Sequence, residues 1–174
     1  ADDPTLSGKY DDLPMATNRD RCEAIARVIK AIDADVLALE EVESKEAIEW
    51  FRDEFLQGLG YDHVASLDVG YYRGVEQSVL SRFPITGVTT WPDEDIADMA
   101  AKKTGDHWET KGEAPKSFQR SPLMVDIEVP KTKDRPAYAL TVAVVHHKAG
   151  NFKKQRESEA LQLVELLQAR LTEE

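Results

Sequence analysis

The sequence predicts a mixed α/β fold, turning to the α+β kind in its middle, and three observations predict it. Residues 18–60 read as helix, strand and helix in quick succession, and residues 61–91 read as strands following one another. Two distant apolar runs, around 36–39 and 137–147, end in side chains able to do chemistry. With 174 residues and 41% hydrophobic content, the chain can build one sizeable core, so a single domain over 1–174 is expected.

Residues 1–16 are polar and turn-rich and read as an irregular arm. Thr17 or Asn18 can cap a helix to about Ile32, with Cys22, Ile25, Ile29 and Ile32 on one face and Val28 beside it. That stripe makes Cys22 a packed thiol rather than a reactive one. Val36, Leu37, Ala38 and Leu39 then suit a strand buried on both faces, although a buried helical segment has the same pattern. Ser44 offers the cap, and Glu46 the first-turn acid, of a second helix through Ile48, Phe51, Phe55 and Leu59, stopping at Gly58 or Gly60.

Tyr61–Ser66, Val75–Ser81 and Ile85–Trp91 follow as strands, the last two divided by Arg82-Phe83-Pro84, and their closeness predicts antiparallel neighbours. Residues 92–119 carry Pro92, Gly105, Gly112 and Pro115 and suit either a binding loop or an insertion, with a short helix around 96–103. Leu123–Val129 alternates apolar and polar, and Ala137–His147 is apolar almost throughout, which predicts a central strand. After Gly150-Asn151 a long helix is expected from about Phe152 to Leu171, with Ala160, Leu163, Val164, Leu167 and Leu171 facing inward.

A formal net charge of −11 argues against a general nucleic-acid surface, whose affinity comes from Lys and Arg displacing counterions. The single cysteine excludes an intrachain disulfide and leaves secreted and cytoplasmic locations equally open. No apolar run is long enough to span a membrane, and no obligate protein partner is evident.

Glu40, Glu41 and Glu43 crowd the end of the first apolar run, and His146-His147-Lys148 ends the last. Taken alone, an acidic cluster is more often solvated residues opening a helix, and a His beside a Lys is more often unremarkable. Taken together, a carboxylate, an imidazole and a cation suit metal-assisted attack on a phosphoester, because Mg²⁺ prefers carboxylate oxygen and keeps several waters. The sequence has no glycine-rich phosphate loop, no zinc pattern of spaced His or paired Cys, and no Gly-x-Ser-x-Gly elbow.

Four segments carry a family resemblance. Asp33-Ala-Asp-Val-Leu-Ala-Leu-Glu-Glu-Val-Glu43 resembles the "ADIIALQEVE" segment of the endonuclease/exonuclease/phosphatase superfamily, the deoxyribonuclease-I-like metal-dependent hydrolases. Gln77 to Ile85 resembles its "GVAILSRFPI" strand-turn-strand, Arg120-Ser-Pro-Leu its "R-x-P-L" strand, and Val145 to Gly150 its "VHLKSG" segment. The four occur in family order over residues 33–150. The resemblance implies a four-layer sandwich of two mixed β-sheets flanked by helices. It implies hydrolysis of phosphoester bonds, with Mg²⁺ or Mn²⁺, in a nucleic acid, a nucleotide or another phosphorylated small molecule. It further implies Glu41 as metal ligand, His146 as the phosphate-contacting catalytic histidine, and Arg120 and Lys148 as phosphate-binding residues. For Arg120 a plain strand-end arginine is an equal reading. Glu40 stands where the family has Gln, and His147 where it has Leu, so His147 is expected to pack or face away. His63, His107 and the tryptophans match nothing catalytic.

The family also has an opening strand with a metal-linked Asn, a later Gly-Asp-x-Asn, and an Asp-His pair that activates water; the sequence has no Gly-Asp-x-Asn, and neither of its Asp-His pairs, at 62–63 and 106–107, closes a core strand. The expectation is therefore an incomplete domain, lacking its first strand and C-terminal catalytic half and catalytically poor alone. The competing expectation is a noncatalytic α/β binding or scaffold module.

Overall fold

The computed structural model describes residues 18–71, 74–97, 99, 116–150 and 152–172. They divide into two compact units, one holding residues 18–90 and 123–144 and the other residues 91–122 and 145–172. The chain is an α+β protein, and its described residues form two three-stranded antiparallel sheets, both in the first unit.

Asn18 opens α1 (Arg19–Ile32), its side chain accepting a hydrogen bond from the Arg21 N–H at 3.0 Å. Ser44 does the same for α2 (Lys45–Phe55), accepting from the Ala47 N–H at 3.1 Å. Between them runs β1 (Val36–Val42), then β2 (His63–Ser66) and β3 (Glu76–Ser81) complete a sheet in the order β1-β3-β2. β4 (Ile85–Thr90), β5 (Leu123–Val129) and β6 (Tyr138–Val144) form the second sheet in that order.

The central strand β3 is buried at every residue. Its pleat sends Leu80 into a core with Cys22, Ile29, Ile48 and Phe55 of the helices, and Val79 into a core with Leu123, Val125 and Ile127 of the second sheet. The first unit is thus layered as helices, sheet, sheet. Buried polar residues of β3 find partners: Ser78 donates across the ladder to Ser66 Oγ at 2.8 Å, and Ser81 donates to the Phe83 carbonyl at 2.8 Å. On the inner face of the second sheet, Leu123 pairs with Val144, Val125 with Val142 and Ile127 with Leu140.

Several expectations are corrected. Every described strand pairing is antiparallel, where mixed sheets were expected. β3 and β4 do not pair; Arg82-Phe83-Pro84 carries the chain from one sheet to the other. β1 has Val36 and Leu37 facing the two cores, as anticipated, but Ala38 is exposed, since β1 pairs with β3 alone among the described residues. β6 likewise lies at an edge, not the centre, and Tyr138 is left 46% exposed. In α1 the buried face is Cys22, Ala26 and Ile29, while Ile25, Val28 and Ile32 are exposed. The short helix expected around 96–103 falls largely outside the described residues.

Arg82 ties three segments of the first unit together. Its Nε donates to the Leu59 carbonyl at 2.7 Å, its guanidinium pairs with Asp33 and Asp35, and it lies 5.2 Å from the centroid of the Tyr61 ring. The two carboxylates are mostly exposed, so solvent screens much of their contribution. Arg82→Ala is expected to cost about 1–2 kcal/mol, mainly through the Leu59 acceptor and the packed guanidinium, read as a lower urea midpoint at unchanged slope.

Candidate active site

Glu41 stands in the first unit at an irregularity of β1. Leu39 pairs with Ser78 and Val42 with Glu76, so β1 spends three steps where β3 spends two, the signature of a bulge with one extra residue. The extra residue resets the alternation: Val42 packs on the same helix-facing core as Leu37 and Leu39, which an unbroken strand would not allow. The backbone meets this demand at Glu41, whose φ of 57° lies in the left-handed region that disfavours a side chain. Glu40 and Glu41 are both exposed, and Glu43 is half-buried.

Arg120, His146 and Lys148 belong to the second unit. β6 ends at Val144, earlier than expected, so His146, His147 and Lys148 lie on an irregular segment before α3 (Lys153–Thr172) rather than on a strand end. Two fixings hold that segment. From α3, Arg156 Nη1 donates to the carbonyls of Lys148, at 3.1 Å, and Gly150. From the other direction, buried Arg120 reaches the His147 carbonyl, Nη1 to O 3.5 Å.

The centre of the second unit is Glu159, whose side chain is 1% exposed. One carboxylate oxygen accepts from the Gln119 N–H at 2.9 Å and from Gln155 Nε2 at 2.7 Å. The other accepts from the Lys148 N–H at 3.3 Å and faces His147 Nδ1 at 3.2 Å. Burial pushes the carboxyl towards its neutral form, but the hydrogen bonds from His147, Gln119, Gln155 and Lys148 outweigh it and hold the group below the ordinary glutamate range. One buried anion therefore fixes together the 119–120 and 147–148 segments, which carry Arg120 and Lys148.

The sequence reading missed Glu159 and Gln155. It placed Val164 and Leu171 on the inner face of the last helix, and these are 50% and 74% exposed, whereas Ser158, Glu159 and Gln162 are buried. The available signal was the Gln155 and Glu159 pair at i, i+4, one turn apart, downstream of His147. His147, expected to pack or face away, packs with its Nδ1 3.2 Å from this carboxylate. Among the described residues, no group of three or more His, Cys, Asp or Glu side chains is gathered to hold a metal ion, and no helix is long and apolar enough to cross a membrane.

Comparisons with known proteins add a distant likeness. No family model matches the chain, and no curated protein matches it. Among solved structures it is similar to an endonuclease/exonuclease/phosphatase family protein from Leptotrichia buccalis C-1013-b, with a TM-score of 0.49 and 15% sequence identity. That match covers 92% of this chain, which spans 58% of the length of the other.

Because the Glu159 pKa is depressed on folding, its ionised form contributes stability above the unfolded pKa, and that contribution is lost as pH falls through the folded pKa. Acid titration of stability is expected to show a loss setting in below about pH 4.5, a loss that Glu159→Gln flattens. Glu159→Leu is expected to cost about 3 kcal/mol or more at neutral pH, since the donors at Gln119, Gln155 and Lys148 lose their acceptor, as a denaturant titration would measure.

Proposed function

We propose that this chain serves the hydrolysis of phosphoester bonds with Mg²⁺ or Mn²⁺, in a nucleic acid, a nucleotide or another phosphorylated small molecule. The observation that carries the reading is Glu41: an exposed carboxylate kept on left-handed backbone, where glycine would relieve the conformation, in the segment that resembles the family's metal-binding strand. The four motif resemblances over residues 33–150 support it.

The donor chemistry fits the implied ion. Mg²⁺ takes hard oxygen ligands and retains waters, so one or two carboxylates suffice, and Glu41 with its exposed neighbour Glu40 offers that set. Glu41 would hold the ion, and the ion, when bound, supplies Lewis-acid polarisation of a phosphoryl oxygen. The remaining roles fall to the chain itself. His146 would exchange a proton with an ester oxygen of the phosphate. The Arg120 guanidinium and Lys148 ammonium would attract the non-bridging oxygens as negative charge builds on them, Arg120 through its planar fork and Lys148 as a point charge.

Three measurements test this. Mn²⁺ binding to this chain, followed by water-proton relaxation, is expected to weaken at least about tenfold in Glu41→Gln, a loss comparable to that from removing an outer-shell partner of a metal ligand. Glu41→Gly is expected to leave stability unchanged or raise it by up to ~1 kcal/mol while also losing the ion, the pattern of strain kept for function. In the protein as the cell produces it, turnover of bis(p-nitrophenyl) phosphate with Mg²⁺ or Mn²⁺ is expected to fall by about 10²-fold or more in His146→Ala. Hydrolysis indifferent to both Glu41→Gln and His146→Ala would overturn the assignment.

A further inference from the structure

The second unit contains a groove of about 350 Å³, lined by residues 116–119 together with Lys148, Phe152 and Gln155. That volume lies at the small end of pockets that take small molecules. Its chemistry is unlike the rest of the chain. Against a net charge of −11, residues 148–156 carry Lys148, Lys153, Lys154 and Arg156 and no acid.

The cations of this run have different commitments. Arg156 is spent on the carbonyls of Lys148 and Gly150, and Lys153 pairs with Glu157 at 3.9 Å. The ammonium groups of Lys148 and Lys116, the two lysines that line the groove, have no carboxylate partner among the described residues. Lys148 Nζ lies 4.6 Å from the centroid of the Phe152 ring, and Phe152 is 56% exposed. The groove thus combines two ammonium groups, a solvent-facing aromatic ring and the polar edge of Ser117. Its rigidity comes from below: Gln155 is held between the Ser117 carbonyl, at 3.0 Å, and Glu159, and Gln119 is held by Glu159. An ammonium beside an aromatic face suits a ligand that is anionic at one end and planar at the other.

We propose that this groove binds the phosphate ester of a planar aromatic group, of which a nucleoside monophosphate is the simplest member, with the ring against Phe152 and the phosphate between Lys116 and Lys148. The proposal goes beyond the hydrolase reading, for it needs neither a metal ion nor Glu41 and shares only Lys148 with that site.

Calorimetric titration of the chain in low salt with EDTA, using adenosine 5′-monophosphate, ribose 5-phosphate and adenosine, separates the contributions. Adenosine 5′-monophosphate is expected to bind more tightly than either of the others. Phe152→Ala, at an exposed ring, is expected to remove the advantage over ribose 5-phosphate, a loss of roughly five- to hundredfold. Lys116→Gln, with unchanged circular dichroism, is expected to remove most of the advantage over adenosine. Equal affinity for adenosine 5′-monophosphate and ribose 5-phosphate, absence of binding by all three ligands, or Phe152→Ala binding as the natural chain does would each overturn the proposal. The chelator makes these outcomes independent of Mn²⁺ binding at Glu41.

Discussion

A carboxylate sealed from water must be neutral, or it must be surrounded by donors, and Glu159 takes the second course. Two of its four partners are main-chain N–H groups, of Gln119 and Lys148, from segments separated by almost thirty residues. Main-chain donors cannot swing away as side chains do, so the anion fixes where both segments run. Arg120 and His147, each adjacent in sequence to one of these donors, are then joined to one another through the His147 carbonyl. The candidate phosphate-binding side chains Arg120 and Lys148, and the groove lined by Gln119, Gln155 and Lys148, all inherit their setting from this one buried charge.

The first unit rests on a different constraint, the coverage of β3 on both faces. Its alternate residues must satisfy two cores at once, and its buried serines close hydrogen bonds locally rather than reaching for solvent. β1 follows β3 in register until Leu39, and one extra residue then turns Val42 back to the helices. The bulge is therefore a packing solution. That it is made with a glutamate in left-handed backbone, not a glycine, is what packing leaves unexplained.

What was legible in the sequence was whatever depends on near neighbours. Asn18 and Ser44 announce their helices because a cap acts within three residues, and β5 announces itself through the alternation of Leu123, Val125, Ile127 and Val129. Sheet order depends on distant pairings, so the apolar runs of β1 and β6 gave no warning that their strands lie at edges. The last helix misled for a related reason. Its leucines and valines trace a stripe that hydrophobicity alone would bury, but the face that turns inward is polar, and Glu159 and Gln162 are placed there by partners far along the chain. At the candidate site, Glu41, Arg120, His146 and Lys148 were named from motif resemblance; Glu159, which holds part of that machinery in place, lies beyond the last motif.

The most direct test is the ionisation of Glu159 itself, followed by the ¹³C shift of its side-chain carboxyl as pH is lowered. The account requires the resonance to stay at its ionised position through the range where exposed glutamates take up their proton, moving only at lower pH or with unfolding. A midpoint at or above that range would mean that burial prevails over the donors from Gln119, Gln155, His147 and Lys148, and that no anion organises the second unit.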